Sequence, residues 1–536
     1  MTPAARFAGF AGLTAIAISV AGTVAVGAAG PSLMEPPLPG APGASGAPGA
    51  SGTPGWLPWA ADLSLNPYLA VGLAAGSLAA GALGLLLTLR ATRSGWSVTP
   101  RYVLLAGVLA ALVVGTTRPF GTSDFLSYAA YGRELVTGHN PYLVAPRALT
   151  GDPVARAVQD WAGTPSVYGA LATGVFAAAS VIGGESARLT VFVLDVVNAA
   201  AFAATGALLY RLARGRAARL RAALLWTCNP LLLQVLVAGS HVDGLAVAFS
   251  IGGLAVLFPL FPNVPWRLSP PPPSSPSRRG VLRGAAAGIL LGLGFAVKPT
   301  VLLVAAGLAI GLIPRDGRTR ILASLAAGFT AVAAADVALM GRAGIAQTAR
   351  ASGMVSVGSP WRVVRTVLSQ FTAESAANDV VRWCAVIMAA SLVVGLSRSG
   401  FVSGFRRYDS ANDEQGGWPP AGWAFALVLA WLMAWPYVLP WYDAAAWALL
   451  ALLPASRFDW LLLARTTVLA LGYLPARATG ITIPGGLRWM EPVLRSAVTP
   501  AVLAALLVVL LCWMRRPVNQ GDAARAAAGS DHRSPV

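Results

Sequence analysis

Lysine is almost missing from this chain: of 39 basic residues only Lys298 is a lysine. Charge of any kind is scarce, with 21 acidic residues and 11% charged residues in 536, where a soluble domain carries about 25%. A water-soluble globular fold is thereby excluded. The 3 cysteines, Cys228, Cys384 and Cys512, lie in or beside apolar runs without paired spacing, so neither a disulfide framework nor a metal site is suggested. The arginine excess leaves a formal net charge of +18. Those arginines cluster in short loops between apolar runs, as orientation in a membrane requires, so no nucleic-acid partner is needed to explain them.

What the chain has instead is apolar length. It is 56% hydrophobic with a mean hydropathy of +0.65, and runs approaching the ~20 residues of a membrane span recur from end to end. They fall near 7–29, 67–89, 102–116, 165–182, 188–210, 222–238, 243–262, 284–297, 300–313, 321–340, 381–398, 420–438, 443–455, 460–476 and 491–514. The runs are continuously apolar rather than alternating, which predicts helices and not barrel strands. The expected fold is therefore all-α, a polytopic transmembrane bundle of about 13–14 spans by the length rule. Residues 1–29 read as an uncleaved signal-anchor helix, because the run exceeds a signal-peptide core. Residues 30–66, dense in Pro, Gly and Ala, read as a flexible external linker, and 515–536 as a disordered cytoplasmic tail.

Placing the arginine-rich loops at 90–101, 211–221, 278–283, 315–320, 398–407 and 515–516 in the cytoplasm puts the unusual polar residues together on the other face. That scheme requires 165–182 to be re-entrant, interfacial or half-spanning. The densest polar stretch is Arg118–Tyr142, where Asp124, Tyr128 and Tyr131 repeat at helical spacing and would share one face. A capped surface helix with belt tyrosines explains the same pattern. Asn140 and Tyr142 suit sugar hydroxyls, although turn chemistry explains Gly138-His139-Asn140-Pro141 equally well. His241 and Asp243 lie between two apolar runs, where they are expensive unless they face water or a ligand, or simply form a polar turn. Lys298, followed by Pro299 between two apolar half-runs, must snorkel or meet an anion, for which a phosphate is the natural partner.

The order S-D-F-x-x-Y-x-x-Y-G, G-H-N-P-Y, N-P before H-x-D, K-P in a split helix and P-W-Y late in the chain resembles the integral-membrane glycosyltransferases of the GT-C superfamily. More narrowly, it is similar to the actinobacterial polyprenol-phosphate-mannose-dependent α-1,6-mannosyltransferases of lipomannan-type glycan synthesis. The resemblance covers roughly 100–475, within a transmembrane glycosyltransferase domain expected at 67–514, and departs at Tyr168-Gly169-Ala170, where many relatives have Y-G-P.

The resemblance implies a plasma-membrane enzyme with its site on the extracytoplasmic face and a catalytic first large external loop. Its donor would be a polyprenyl-phosphate sugar and its acceptor a glycolipid or glycan. Asp124 would be the general base of an inverting transfer. Lys298 would bind the donor phosphate, and Tyr128, Tyr131, Asn140, His241, Asp243, Trp441 and Tyr442 would position the sugars. No cofactor is assigned, and a divalent metal stays open. A flippase or transporter of lipid-linked sugars is the alternative of a different class, as is a transferase using another polyprenyl-phosphate sugar.

Overall fold

The computed structural model describes residues 2–35, 63, 65–260, 278–313, 319–399, 419–475 and 482–515. Most of the expected linker and nearly all of the expected tail lie outside the described residues. Among the described residues every regular element is a helix, in agreement with the all-α reading. The principal ones are α1 (Pro3–Ala28), α2 (Pro67–Arg93), α3 (Pro100–Val114), α4 (Asp124–Val136), α5 (Ala170–Gly183), α6 (Ala187–Leu212), α7 (Gly215–Leu225) and α8 (Asp243–Leu257). They continue with α9 (Arg278–Phe295), α10 (Val301–Leu312), α11 (Thr319–Ser352), α12 (Glu374–Arg398), α13 (Pro419–Ala434), α14 (Ala444–Leu450), α15 (Phe458–Gly472) and α16 (Thr499–Arg515).

Among the described residues seven segments are long and apolar enough to cross a membrane, and the chain is a multi-pass membrane protein. Five more apolar helices run only 10–17 residues, short of the ~20 that a crossing takes. The expectation of about 13–14 spans treats nearly every run but 165–182 as one crossing; the structure sorts most of the described runs into these two length classes. The most apolar stretch of Gly215–Val237 has 94% of its residues buried and that of Thr319–Ser352 17%, so the first is the centre of the bundle and the second its lipid-facing margin. Exposed Leu105, Leu109 and Leu112 on α3 and Ile387 on α12 belong to that margin, where lipid rather than water solvates them.

Three helices break beside one another, each for a local reason. Asn229 accepts from the N–H groups of Leu231 and Leu232 and so caps a new turn at Pro230, which opens into a wide π turn at Leu233–Val237 before the chain turns again at Ala238–Val242. Lys298-Pro299 separates α9 from α10, since proline has no N–H to extend the ladder. Pro440–Asp443 forms a tight 3-10 turn ahead of α14. Broken helices are tolerated at membrane depth where they line a cavity.

Helices α1 and α2 pack antiparallel, and Gly12 and Gly84 let them touch backbone to backbone: a Cβ on Gly84 would lie 2.7 Å from the Gly12 carbonyl oxygen. At one end of this pair Asp459, fully buried, receives Arg93 at 2.8 Å and Arg221 at 2.7 Å, so the arginines following α2 and α6 share an end as the charge pattern expects. At the other end the Arg118 N–H donates to Gly27 O and the Gly121 N–H to Met34 O. With 26 residues in α1, the two ends lie ~39 Å apart at 1.5 Å per residue. Leu33, Met34 and Glu35, inside the stretch read as linker, are buried, and Glu35 faces Arg118 at 3.7 Å. That part of 30–66 is folded against the bundle, which corrects its reading as free linker.

The segment 165–182 becomes the short helix α5. The Ala170 N–H donates to Asp336 on α11 at 2.6 Å and the Leu171 N–H to Ala296 O at 3.1 Å. A proline at position 170 could not make the first bond, so the departure from Y-G-P is matched by a local partner. On α15 the buried Arg465 pairs with Asp443 and donates to Leu432 O, while Thr466 donates to Asp443 at 2.7 Å. Arg465 thus ties both ends of the 432–443 segment.

Removing one partner of such a buried pair leaves an uncompensated charge, worth about 3–5 kcal/mol. Arg465→Ala is expected to lose that much stability in detergent denaturation; a loss under about 1 kcal/mol would contradict the clamp. On α4, Glu134 is fully buried and neither carboxyl oxygen has a partner among the described residues. Burial pushes it up to about 8 from an ordinary 4.5. The folded chain therefore keeps a proton that the unfolded chain has lost, and stability falls as pH rises from about 4.5 to about 8. Glu134→Gln should flatten that slope in melting curves at pH 5, 7 and 9; an unchanged slope would assign it to another group.

Candidate active site

Asp124 opens α4, and neither Ser123 nor Asp124 caps the helix through its side chain, which disfavours the capped-surface-helix reading. The Asp124 N–H donates to Thr122 Oγ1 at 3.1 Å. Just upstream the Phe120 N–H donates to Ala238 O at 2.8 Å, so the start of α4 is fastened to the turn that carries His241. That turn is tight. Ser240 adopts φ 51 and is held by the Asn198 side-chain amide, which donates to its carbonyl at 3.1 Å. A Cβ on Gly239 would lie 2.9 Å from the His241 ring, so glycine is required for the close approach.

His241 is buried, with Nδ1 3.7 Å from Asp124 Oδ2. Burial, aided by the charge of Lys298, holds its ring well below the usual histidine range, so it faces Asp124 as a neutral imidazole. Its ring stacks on Trp441 with centroids 3.6 Å apart, and Trp441 meets Tyr473 edge to face at 5.1 Å. Lys298 Nζ lies 2.5 Å from Asp243 Oδ1 and 4.2 Å from the Tyr442 ring centroid. Lysine offers three donors, and these two contacts leave capacity for a third, anionic partner.

Asp124 is 17% exposed at its side chain. Its carboxyl is pushed up to about 6, first by burial, with Asp243 and Asp160 adding to the rise and Lys298 and a hydrogen bond from Trp161 opposing it. A carboxyl poised there can exchange a proton near neutral pH.

Two crevices flank the His241–Trp441 stack. One has Asp243, Lys298 and Tyr442 with walls of Val247, Val304, Val428 and Trp431. The other is lined by Met34, Phe120, Gly121, Gln234, His241 and Tyr473. Among the described residues no group of three His, Cys, Asp or Glu could hold a metal ion.

Of the residues expected from the sequence, the fold brings Asp124, His241, Asp243, Lys298, Trp441 and Tyr442 together. Tyr128 and Tyr131 are buried instead. The Tyr128 ring stacks on Phe176 at 4.9 Å and its hydroxyl meets that of Tyr168 at 3.3 Å, while Tyr131 donates to Thr164 O at 2.9 Å. Neither lines either crevice, but both hydroxyls lie close enough to feel the charge of Asp124, so they brace α4 on the side of that carboxyl. Asn140 is exposed and its side chain accepts from the Tyr142 N–H at 2.9 Å: turn chemistry accounts for it, and it stands apart from the cluster.

Four contributors escape the sequence pattern as read above. Arg465 is an ionisable residue inside an apolar run, a signal sufficient to find it. Asp160, Trp161 and Asn198 have no such signal, being brought in by loop and helix packing. Asp160 receives the Ser123 hydroxyl at 2.7 Å.

Among solved structures, an archaeal oligosaccharyltransferase, AglB from Archaeoglobus fulgidus in complex with an inhibitory peptide and a dolichol-phosphate, aligns over 81% of this chain and 60% of its own, with a TM-score of 0.34 and 14% identity; so low a score supports no argument. The alpha-(1->6)-mannopyranosyltransferase B of Corynebacterium glutamicum is 32% identical over 142 residues, 26% of this chain and 24% of that protein. The alignment therefore spans about a quarter of that relative's length. Residues 6–314, which include Asp124, His241, Asp243 and Lys298, match the family model described as alpha-(1->6)-mannopyranosyltransferase, N-terminal domain. With more than half of its length matched by that model, the chain belongs to the alpha-(1->6)-mannopyranosyltransferase family.

Proposed function

We propose that this protein transfers mannose from a polyprenyl-phosphate donor to a growing cell-envelope glycan, forming an α-1,6 linkage on the extracytoplasmic side of the membrane. The observation that carries the reading is the meeting of a carboxyl pushed up to about 6, Asp124, with a lysine at the mouth of an apolar crevice. The donor phosphate lies against Lys298, whose charge Asp243 holds in place, and the prenyl chain follows the valine-lined wall between α8, α10 and α13. That pairing of a cation with apolar walls suits an anionic lipid far better than a nucleotide.

Asp124 takes the proton from the acceptor hydroxyl as its oxygen attacks the anomeric carbon. The bond from that carbon to the phosphate oxygen breaks, polyprenyl phosphate leaves toward Lys298, and a β-linked donor yields an α-linked product. Neutral His241 adds no positive charge beside Asp124, so the carboxyl keeps its raised affinity for the proton. The basic Arg93–Asp459–Arg221 cluster lies at the opposite end of α1 from this site, which supports an extracytoplasmic location under the positive-inside rule.

Asp124→Asn should lower transfer from radiolabelled polyprenyl-phosphate mannose by about 10²-fold or more in membranes holding equal amounts of protein; retained activity would remove Asp124 as the base. In the wild type the rate should climb with pH through about 6 and then level, because the base must be ionised. Lys298→Met should raise the donor KM while leaving the acceptor KM near its wild-type value, and an equal rise in both would place the phosphate elsewhere.

A further inference from the structure

We propose that Trp161 is the platform on which the acceptor sugar lies, its indole face against the C–H face of a neutral pyranose whose attacking hydroxyl points at Asp124. The inference rests on the transferase reading, and on four observations independent of it. Trp161 is 39% exposed, while Tyr128, Tyr131 and Trp441, the other large rings of the site region, are buried. The Ser123 hydroxyl, next to Asp124 in the chain, binds Asp160 at 2.7 Å and so brings the following residue, Trp161, against Asp124, and the only hydrogen-bonding group an indole has is its N–H donor. Trp161 adopts φ 67, a genuine outlier for a bulky residue that persists only where the surroundings impose it, as they do at ligand clamps. No other aromatic ring among the described residues stacks on it.

The loop that holds it is fastened on both sides. The Trp161 carbonyl accepts from the Thr164 N–H and the next carbonyl, of Ala162, accepts from the Arg147 N–H, each at 2.8 Å. Asp160 is fixed by the Ser123 hydroxyl at 2.7 Å. The indole is therefore held beside the base while part of its ring stays open. Aromatic faces carry negative charge density that attracts the polarised C–H groups of a sugar. The acceptor, not the donor, belongs there because the base must touch the hydroxyl it deprotonates, whereas the donor is held through its phosphate at Lys298.

The test uses the full chain in nanodiscs with polyprenyl-phosphate mannose and a synthetic α-1,6-dimannoside acceptor. Trp161→Ala should raise the acceptor KM about tenfold, equivalent to about 1.4 kcal/mol, and leave the donor KM unchanged. Trp161→Phe keeps the face and loses the N–H, so its acceptor KM should stay within about threefold of wild type.

Asp124 is faced by Trp161 and Asp160 from this loop, Tyr128, Tyr131 and Tyr168 from around α4 and α5, His241 and Asp243 from the 238–243 turn, Lys298, and Tyr442 and Tyr473. Loss of the one indole bond that favours the ionised form should move the acid limb of the rate in Trp161→Phe to higher pH. An unchanged acceptor KM in Trp161→Ala, or an equal rise in Trp161→Phe, would overturn the platform. Saturation-transfer NMR of the dimannoside without donor separates the failure of the platform from failure of the transferase reading. If the dimannoside signal given by the wild type disappears in Trp161→Ala, the platform stands even where the wild type transfers no mannose; a signal of wild-type size in Trp161→Ala rejects it.

Discussion

A protein interior offers no water to a charge, and the contact between Lys298 and Asp243 at 2.5 Å is how the candidate site meets that constraint. Neither group could stand alone there. Their meeting requires α8 to begin at Asp243 and the α9–α10 break to fall at Lys298-Pro299, and it requires the Pro440–Asp443 turn to bring Tyr442 over the ammonium group. The helix breaks and the polar cluster are thus one feature: backbone groups freed by the breaks and side chains that need partners gather in the same cavity.

Around that pair the remaining parts fall into supporting and presenting roles. Arg465 holds the 432–443 segment from below, Asn198 holds the strained turn at Ser240, and Tyr128 and Tyr131 brace α4 through Phe176 and Thr164. What they present is a carboxyl against His241 and, on either side of the His241–Trp441 stack, two crevices, one with a cation and apolar walls, the other lined by His241 and Tyr473. Under the proposed function the first holds a lipid phosphate, and Trp161 stands where the second substrate would approach. Rigidity here has a chemical use, since a base and an anion-binding lysine must hold their separation while a bond between substrates forms and another breaks.

The same physics separates the legible residues from the rest. Lys298, Asp124, His241 and Asp243 stand out in the sequence because an ionisable residue among apolar runs needs a reason. Asn140 suits a sugar by its residue type, but an asparagine before a proline also serves a turn, and that is the use the fold makes of it. The stretch from 30 looks free by composition, yet Met34 and Glu35 are buried, because Arg118 needs a counter-charge and Gly121 needs an acceptor at that end of α1.

Hydropathy and the cost of a charge in lipid are properties of the residues themselves, so the class of solvent, the helical fold, the shared end of the basic loops and most charged members of the cluster are legible without coordinates. Which polar groups meet is a matter of packing alone. Ser123 and Asp160 lie 37 residues apart, and Arg93 reaches Asp459 across a separation of 366. No periodicity encodes such pairings; they are set by how helices of unequal length pack and where loops return. The indole at Trp161 reaches Asp124 for the same reason.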